Sequence, residues 1–398
     1  MEWLRNWSWR LTIIVLPWQT RLMFSDASIY VSWLLMLLSI FFAFQSRRST
    51  VQSNSRHNAW MGIVLLLLIF ASAVTTFPTG TWQWWIQVLL LGLFGWSLVI
   101  SKVDAREFLV WNVIALVPHA LLAFQQAITQ QVMGTKWFGI ASQLPETRGV
   151  AVVDVNGVRH LRAYGGMPYP NILGGYLALG LPVSLWLAYR NKFWIAVSCL
   201  FTVALVLTHS RSAWIACITL LVVLAWQWRK PLPNKRQMLL ILCSLLAVLL
   251  WQWPLLMTRV TGEGRLEVRS ITERVSGIQA GLTVFSDHPW FGVGRNALSK
   301  TADLYPLPHN VFLLALAETG LVGIAGTIVL LIFAFRSLPL DKRRRLMIAS
   351  PIVIIAMIVI IAMVDHYLWS YWSGQTLVLL SVTWIMLESQ CLDKTANS

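Results

Sequence analysis

Charged residues are scarce in this chain: they make up 12% of its 398 residues, while hydrophobic residues make up 57%. A soluble domain needs a larger charged share to cover its surface, so that class is excluded. Acidic residues are the rarer sign, 16 against 31 lysines and arginines, for a formal net charge of +15. Cysteine is also sparse. Cys199, Cys217 and Cys243 fall within apolar runs and Cys391 lies in the C-terminal tail, so no outward-facing pair is expected to form a disulfide. No Cys/His cluster has metal-ligand spacing, and no metal site is expected. Missing too are an Asp-x-Asp motif, a P-loop and a Gly-x-Ser-x-Gly turn, which removes cytoplasmic nucleotide chemistry and a serine-nucleophile hydrolase. Asp26 stands alone in the first outward turn, which disfavours a metal-dependent transferase built on paired carboxylates there. The chain lacks internal repeats and low-complexity linkers, so it reads as one transmembrane domain, 1–398.

Long apolar runs are what the chain has in quantity. Runs of roughly 17 to 25 residues suffice to cross ~30 Å of hydrocarbon. About twelve are expected, at 10–25, 28–45, 59–77, 82–100, 107–127, 170–188, 193–208, 212–228, 238–256, 309–335, 346–365 and 368–388. The first is interrupted by Pro17, Gln19 and Arg21. The fold class is therefore an all-α polytopic membrane protein. Cations collect at alternate junctions: Arg47, Arg48 and Arg56; Lys102 and Arg106; Arg190 and Lys192; Arg229, Lys230, Lys235 and Arg236; Arg336 and Lys342 to Arg345. Such collars resist translocation and meet anionic headgroups, which places them and both termini in the cytoplasm and makes membrane lipids, not nucleic acid, their partner. The first run carries no small-residue cleavage site, and Trp3, Trp7 and Trp9 suit interface anchors.

Function is sought in two outward loops, 128–168 and 257–308. In the first, Asn156-Gly157 between β-prone runs predicts a small hairpin within 151–162. In the second, Ile271, Val275, Ile278, Leu282 and Phe285 follow helical spacing and predict an amphipathic helix over 266–286. Asp287-His-Pro289 ends it, Gly292-Val-Gly294 permits a tight turn, and His309 falls at the outer start of the next span.

Arginine at a bilayer junction is costly unless it meets an anion or lines water. Arg211 stands at such a junction, in Ser210-Arg-Ser-Ala-Trp214. Further outward arginines are Arg159 and Arg162 in the first loop and Arg259, Arg265, Arg269, Arg274 and Arg295 in the second. They suit bidentate contact with phosphate, or ion pairing with Glu263, Glu267 and Glu273 on an exposed helix. His309 is the best general-base candidate, with Asn310 placed to orient it, because an imidazole of ordinary basicity can accept a hydroxyl proton at neutral pH. Glu318 falls about 180° around the helix from His309, as expected of a structural partner in the bundle. Asp365-His366 at another outer helix end reads as interface capping or as a second acid/base pair.

Four segments in this order resemble the O-antigen ligase and polymerase superfamily of membrane glycosyltransferases. They are Arg162 to Pro182, Ser210 to Trp214, Arg274 with His288-Pro-Trp-Phe-Gly-Val-Gly294, and His309-Asn310 with Glu318-Thr-Gly-Leu-Val-Gly323. The resemblance covers roughly 160–325 and the number of spans. It implies a GT-C-like membrane fold, with Arg211 and Arg274 on the donor pyrophosphate and His309 as the catalytic histidine. Arg162 matches its pattern, and Asn171, Arg269, Arg295 and Asn310 enter as candidate substrate contacts. After Arg274 the chain reads Val275-Ser-Gly-Ile278 where the family has a tryptophan, so Arg265 and Arg269 stay open as sources of the functional guanidinium.

The resemblance further implies an undecaprenyl-pyrophosphate-linked glycan as donor and an acceptor hydroxyl on the periplasmic face of a bacterial inner membrane. No cofactor or metal is called for, since a lipid diphosphate is already a good leaving group. The expected activity is an inverting O-antigen ligase acting on lipid A-core. The alternatives are a polymerase, a protein O-oligosaccharyltransferase, or, from another class, a transporter or flippase of lipid-linked sugar, which would show inverted repeats and midplane charges.

Overall fold

A computed structural model describes residues 2–24, 27–46, 81–189, 191–226, 235–262, 264–295, 297–298, 307–336 and 351–396. The expected span 59–77, Asp26, Glu263 and the collar residues Arg47, Arg48, Arg56, Arg190, Arg229, Lys230 and Lys342 to Arg345 lie outside them. In chain order the described helices are α1 (Glu2–Val15), α2 (Val31–Ser46), α3 (Thr81–Ile100), α4 (Ala105–Thr129), α5 (Pro170–Ala188), α6 (Phe193–Leu207) and α7 (Arg211–Trp226). They continue with α8 (Lys235–Trp251), α9 (Trp253–Thr261), α10 (Arg265–Asp287), α11 (Val311–Arg336), α12 (Pro351–Val364), α13 (Tyr367–Ser370) and α14 (Trp372–Ala396). Two hairpins complete the fold, β1 (Arg21–Phe24) with β2 (Ala27–Tyr30) and β3 (Val152–Val155) with β4 (Val158–Leu161). The architecture is mostly helical and compatible with a membrane protein. Among the described helices, α4 and α5 are long and apolar enough to cross a bilayer, and α2, α3, α6, α11 and α12 contain shorter apolar stretches.

Three boundaries differ from those expected. The run at 10–25 is not one helix: α1 stops at Val15, two residues before Pro17, which has no N–H to extend the ladder, and Arg21–Phe24 pairs antiparallel with Ala27–Tyr30. The run at 238–256 breaks at Gln252, where α8 and the following helices meet at 78°. Pro254 then opens the first turn of α9, a position where a missing N–H costs nothing. The run at 309–335 is broken at Gly320 (φ 63°, ψ −167°). The segment after α10 docks into that break: Leu321 and Val322 donate to Pro289 and Trp290 O at 2.9 and 3.1 Å, and Val293 and Gly294 donate to Ala317 and Glu318 O at 3.1 and 2.9 Å. A Cβ on Gly320 would lie 2.4 Å from the Trp290 carbonyl carbon, and one on Gly292 2.4 Å from that of Glu318. The two glycines therefore let two backbones approach where any side chain would hold them apart.

The β3–β4 hairpin turns at Asn156 and Gly157, both with positive φ (53° and 84°), as a type I′ turn requires. Asp154 Oδ1 accepts the Gly157 N–H at 2.9 Å and closes it. Helix α10 matches the amphipathic segment expected over 266–286.

Helix α5 is the centre of the bundle. Of an 18-residue stretch in each, 89% is buried in α5 against 44% in α4, so α4 keeps an exposed apolar face and α5 does not. Close packing around α5 depends on Gly174 and Gly175: a Cβ there would sit 2.8 Å from Ser210 Cβ and 2.0 Å from the Tyr367 hydroxyl. These small residues draw the α6–α7 junction and the α12–α13 junction against the start of α5.

Candidate functional site

Those contacts gather side chains from five regions distant in sequence: the lead-in to α5, the α6–α7 junction, α9 with α10, the start of α11, and the turn after α12. Asp365, which is 3% exposed, stands at their centre. Its Oδ2 accepts the Asn171 Nδ2–H at 2.8 Å, and its Oδ1 accepts the His366 backbone N–H at 2.8 Å. His309 Nδ1 lies 3.7 Å from the same Oδ1, within ion-pair range and beyond direct hydrogen-bond distance. Asn171 Oδ1 in turn accepts from Arg162 Nη2, while Arg162 Nε donates to Thr208 O at 2.9 Å. Arg162, Asn171 and Asp365 thus form one buried relay from the hairpin loop to the α12 end.

His309 is held at the entrance of α11 by its neighbour. Asn310 Oδ1 caps the helix by accepting Leu313 N–H at 2.9 Å, and its Nδ2 donates to Met363 O at 3.0 Å, which fastens the start of α11 to the end of α12. The His309 and His366 rings lie 4.8 Å apart at 66°, and His366 Nδ1 is 2.8 Å from Ser370 Oγ. Burial would raise the Asp365 carboxyl, but His309 alongside and the charges of His366 and Arg274 outweigh it and hold it below the usual carboxylate range. Burial also pushes the His366 imidazole down to about 4.

The arginines divide by environment. Arg211, at the first residue of α7, has Nη2 3.2 Å from Glu267 Oε2. Arg259 Nη1 is 2.5 Å from the other oxygen of that carboxylate, and its Nε and Nη2 donate to His209 O at 3.3 and 2.9 Å. Arg274 Nη1 donates to Val364 O at 3.1 Å, beside Asp365, and its guanidinium is pulled below the usual arginine range by burial. Burial brings Arg162 down to about 9, so it stays protonated at neutral pH. His309 and Arg211 keep 26% and 27% of their side chains exposed, whereas Asp365 and Glu267 keep 4% and 3%. A ligand entering this site meets the imidazole and a guanidinium, with the carboxylates behind them.

Other sequence candidates lie elsewhere. Arg295 forms a buried ion pair with Glu318 at 2.9 Å, donates to Trp369 O, and stacks over Trp84 and Trp369. Trp369 Nε1 also donates to Glu318 at 2.7 Å, so Glu318 is a structural partner in the bundle. Arg269 pairs with Glu273 one turn on, at 2.8 Å on the outer surface, as the ion-pairing alternative expected. Arg265 is exposed at the first residue of α10. Arg159 ties its hairpin to Glu146 and Thr147 backbone oxygens.

Sequence reasoning divided Asp365-His366 between capping and acid/base roles; Asp365 does cap the next N–H, and it also faces His309, 56 positions away, which only tertiary structure reveals. His209 was not singled out. Its φ of 48° turns its carbonyl onto Arg259, and the sole sequence signal was its place beside Ser210-Arg211. His309, Asp365 and His366 are two histidines and a carboxylate whose ligand atoms lie within 4.8 Å of one another. Each carboxylate oxygen of Asp365 already accepts one N–H, and Arg274 lies alongside.

Two comparisons bear on this chain. Residues 195–328 match the family described as O-antigen ligase. That stretch contains Arg211, Arg259, Glu267, Arg274 and His309, and leaves out Arg162, Asn171 and Asp365. A protein of Acinetobacter baylyi named general O-oligosaccharyltransferase is 27% identical over 365 residues, covering 84% of this chain. The chain spans 59% of that relative's length.

Proposed function

We propose that this chain is an inverting, metal-independent glycosyltransferase that moves a glycan from undecaprenyl pyrophosphate to an acceptor hydroxyl at the periplasmic face of a bacterial inner membrane. The observation that carries the reading is the convergence of Arg211 at the start of α7 and Arg274 in the middle of α10 with the His309–Asp365 pair at the entrance of α11 and the end of α12. The resemblance of residues 195–328 to O-antigen ligases and the name of the Acinetobacter relative support the same class.

The chemistry follows from the geometry. Because Nδ1 of His309 faces Asp365, Nε2 is the atom left to accept the acceptor's hydroxyl proton. The oxygen attacks the anomeric carbon, the bond from that carbon to the diphosphate oxygen breaks on the opposite face, and the anomeric centre inverts. Asp365 stabilises the imidazolium formed, and Arg211 and Arg274 receive the charge that grows on the departing diphosphate. Each such cation contributes about 2–4 kcal/mol, by analogy with single oxyanion donors. Asn310 fixes the helix entrance, and Arg162 with Asn171 holds Asp365. The twelve-span, termini-inside topology of a single domain, with both long loops outward, belongs to the same proposal, since it puts this cluster on the periplasmic side.

Lipid A-core is the acceptor proposed first and a protein hydroxyl is the second reading; the relative's name speaks only of an oligosaccharide transferred to oxygen. Purified chain is given undecaprenyl-pyrophosphate glycan with lipid A-core, a further repeat unit, or an acceptor protein in turn. Glycosylated acceptor together with released undecaprenyl pyrophosphate is expected from one of them. The yield of both products should fall by about two orders of magnitude or more in Arg211→Gln and His309→Ala variants that remain folded. Movement of the donor between leaflets without release of the diphosphate would instead mark a transporter.

A further inference from the structure

Glu267 is the buried carboxylate that the transfer step leaves unused. It is 2% exposed in a chain short of acidic residues, and it lies between two arginines. The two contacts are unequal. Oε1 takes Arg259 Nη1 at 2.5 Å, and Arg259 is fixed from its other side by His209 O. Oε2 is 3.2 Å from Arg211 Nη2 and makes no hydrogen bond of its own, although it is fully buried. Arg259 is thus a committed partner. Arg211 is neutralised only loosely and keeps 27% of its side chain accessible.

Glu267 also shares a face of α10 with Arg274, since residues seven apart lie about two turns along one stripe. The site therefore has four guanidinium groups, from Arg162, Arg211, Arg259 and Arg274, set against the two carboxylates of Glu267 and Asp365. Histidines aside, the surplus is two positive charges. A lipid diphosphate diester carries two negative charges, whereas the diphosphate monoester left after transfer carries up to three. Without Glu267 the surplus would be three, and the site would match the departing product instead of the donor.

We propose that Glu267 is a positioning residue that limits how tightly Arg211 holds a diphosphate, so that the donor diester binds and the diphosphate product is released. The inference rests on reading the Arg211–Arg274 cluster as a diphosphate site. Inorganic pyrophosphate is the probe, and its binding to the full chain in detergent is measured by calorimetry. In Glu267→Gln, which keeps the side-chain length and an oxygen for Arg259, binding should tighten about ten-fold, or ~1.4 kcal/mol. Where transfer is measurable, kcat should fall with slower product release while the donor KM does not rise. The double variant Arg259→Gln/Glu267→Gln removes one charge of each sign and should bind pyrophosphate within about two-fold of wild type.

Unchanged or weaker pyrophosphate binding by folded Glu267→Gln would overturn the proposal. So would tighter binding that persists undiminished in the double variant, because the effect would then not follow the charge surplus. Tighter binding in a protein that transfers no glycan would sustain the restraint that Glu267 places on diphosphate binding at Arg211 and sink the enzymatic reading, so the two fail separately.

Discussion

Replacing Asp365 by asparagine tests the proposed proton transfer most directly. The carboxylate is 3% exposed and its Oδ1 lies 3.7 Å from His309 Nδ1. A full charge on each partner at that distance interacts by about 4.5 kcal/mol at an effective dielectric of 20. Asparagine keeps the volume and part of the dipole but has one oxygen where aspartate has two. In the native protein Oδ2 serves Asn171 and Oδ1 serves the His366 N–H and faces His309. The amide oxygen can serve only one side, and an NH2 turned toward His309 stabilises the tautomer with its proton on Nε2, the wrong one for a base. With roughly 3–4 kcal/mol lost from the transition state, kcat should drop by about two to three orders of magnitude. The assay is single-turnover transfer from a defined lipid-linked donor, with thermal unfolding in detergent to show that the variant is folded. The cycle with His309→Ala is decisive: once the imidazole is gone, Asp365→Asn should have almost no further effect on rate. A folded Asp365→Asn retaining more than about a third of wild-type kcat, or losses that multiply across the cycle, would refute the mechanism.

Three further outcomes are expected. Arg295→Ala should destabilise the protein by about 3–5 kcal/mol, read as a lower unfolding temperature, because it strands the buried Glu318 carboxylate; Arg269→Ala, on the outer surface, should change stability by less than about 1 kcal/mol and leave transfer unchanged. Gly320→Ala should lower the unfolding temperature, since its φ is 63° and its Cβ would lie 2.4 Å from the Trp290 carbonyl carbon; unchanged melting would mean that the docking of 289–294 into α11 is dispensable. Stability should fall as pH drops from 6.5 toward 4: the unfolded His366 gains a proton in that window, while the native imidazole, pushed down to about 4, does not. One such group contributes at most about 1.4 kcal/mol per pH unit, and His366→Gln should flatten that part of an unfolding-temperature profile. The lowered Asp365 works in the same direction below its ordinary range, near pH 4.

Features written in short-range pattern were legible from the sequence. Asn156-Gly157 gave the hairpin because few residue pairs tolerate two successive positive φ values, and the apolar spacing from Ile271 to Phe285 gave α10 within two residues at each end. Arg211 and His309 could be picked out because a charge or an imidazole at the end of an apolar run is conspicuous against its surroundings, whereas Arg274 came only from the family resemblance, with Arg265 and Arg269 left open beside it. Where periodicity continued through a break, the sequence misled. The apolar character of 309–335 hides the interruption at Gly320, whose cause is the backbone of Trp290 thirty residues away, and the apolar run at 238–256 hides the bend at Gln252.

By itself, then, the sequence determined the helical class, the two loops in which to look, and a short roster of arginines with one histidine. These are properties of composition and of contacts a few residues long. Which arginine is used up in packing and which faces an incoming ligand was decided by tertiary structure alone. Arg295 is buried on Glu318, Arg259 shares Glu267 with Arg211, and Arg274 leans on the end of α12 beside Asp365. The physical reason is that a charge takes its character from the low-dielectric neighbours folded around it. Those neighbours come from Gly174 and Gly175 admitting two distant junctions against α5, an approach that no local pattern records.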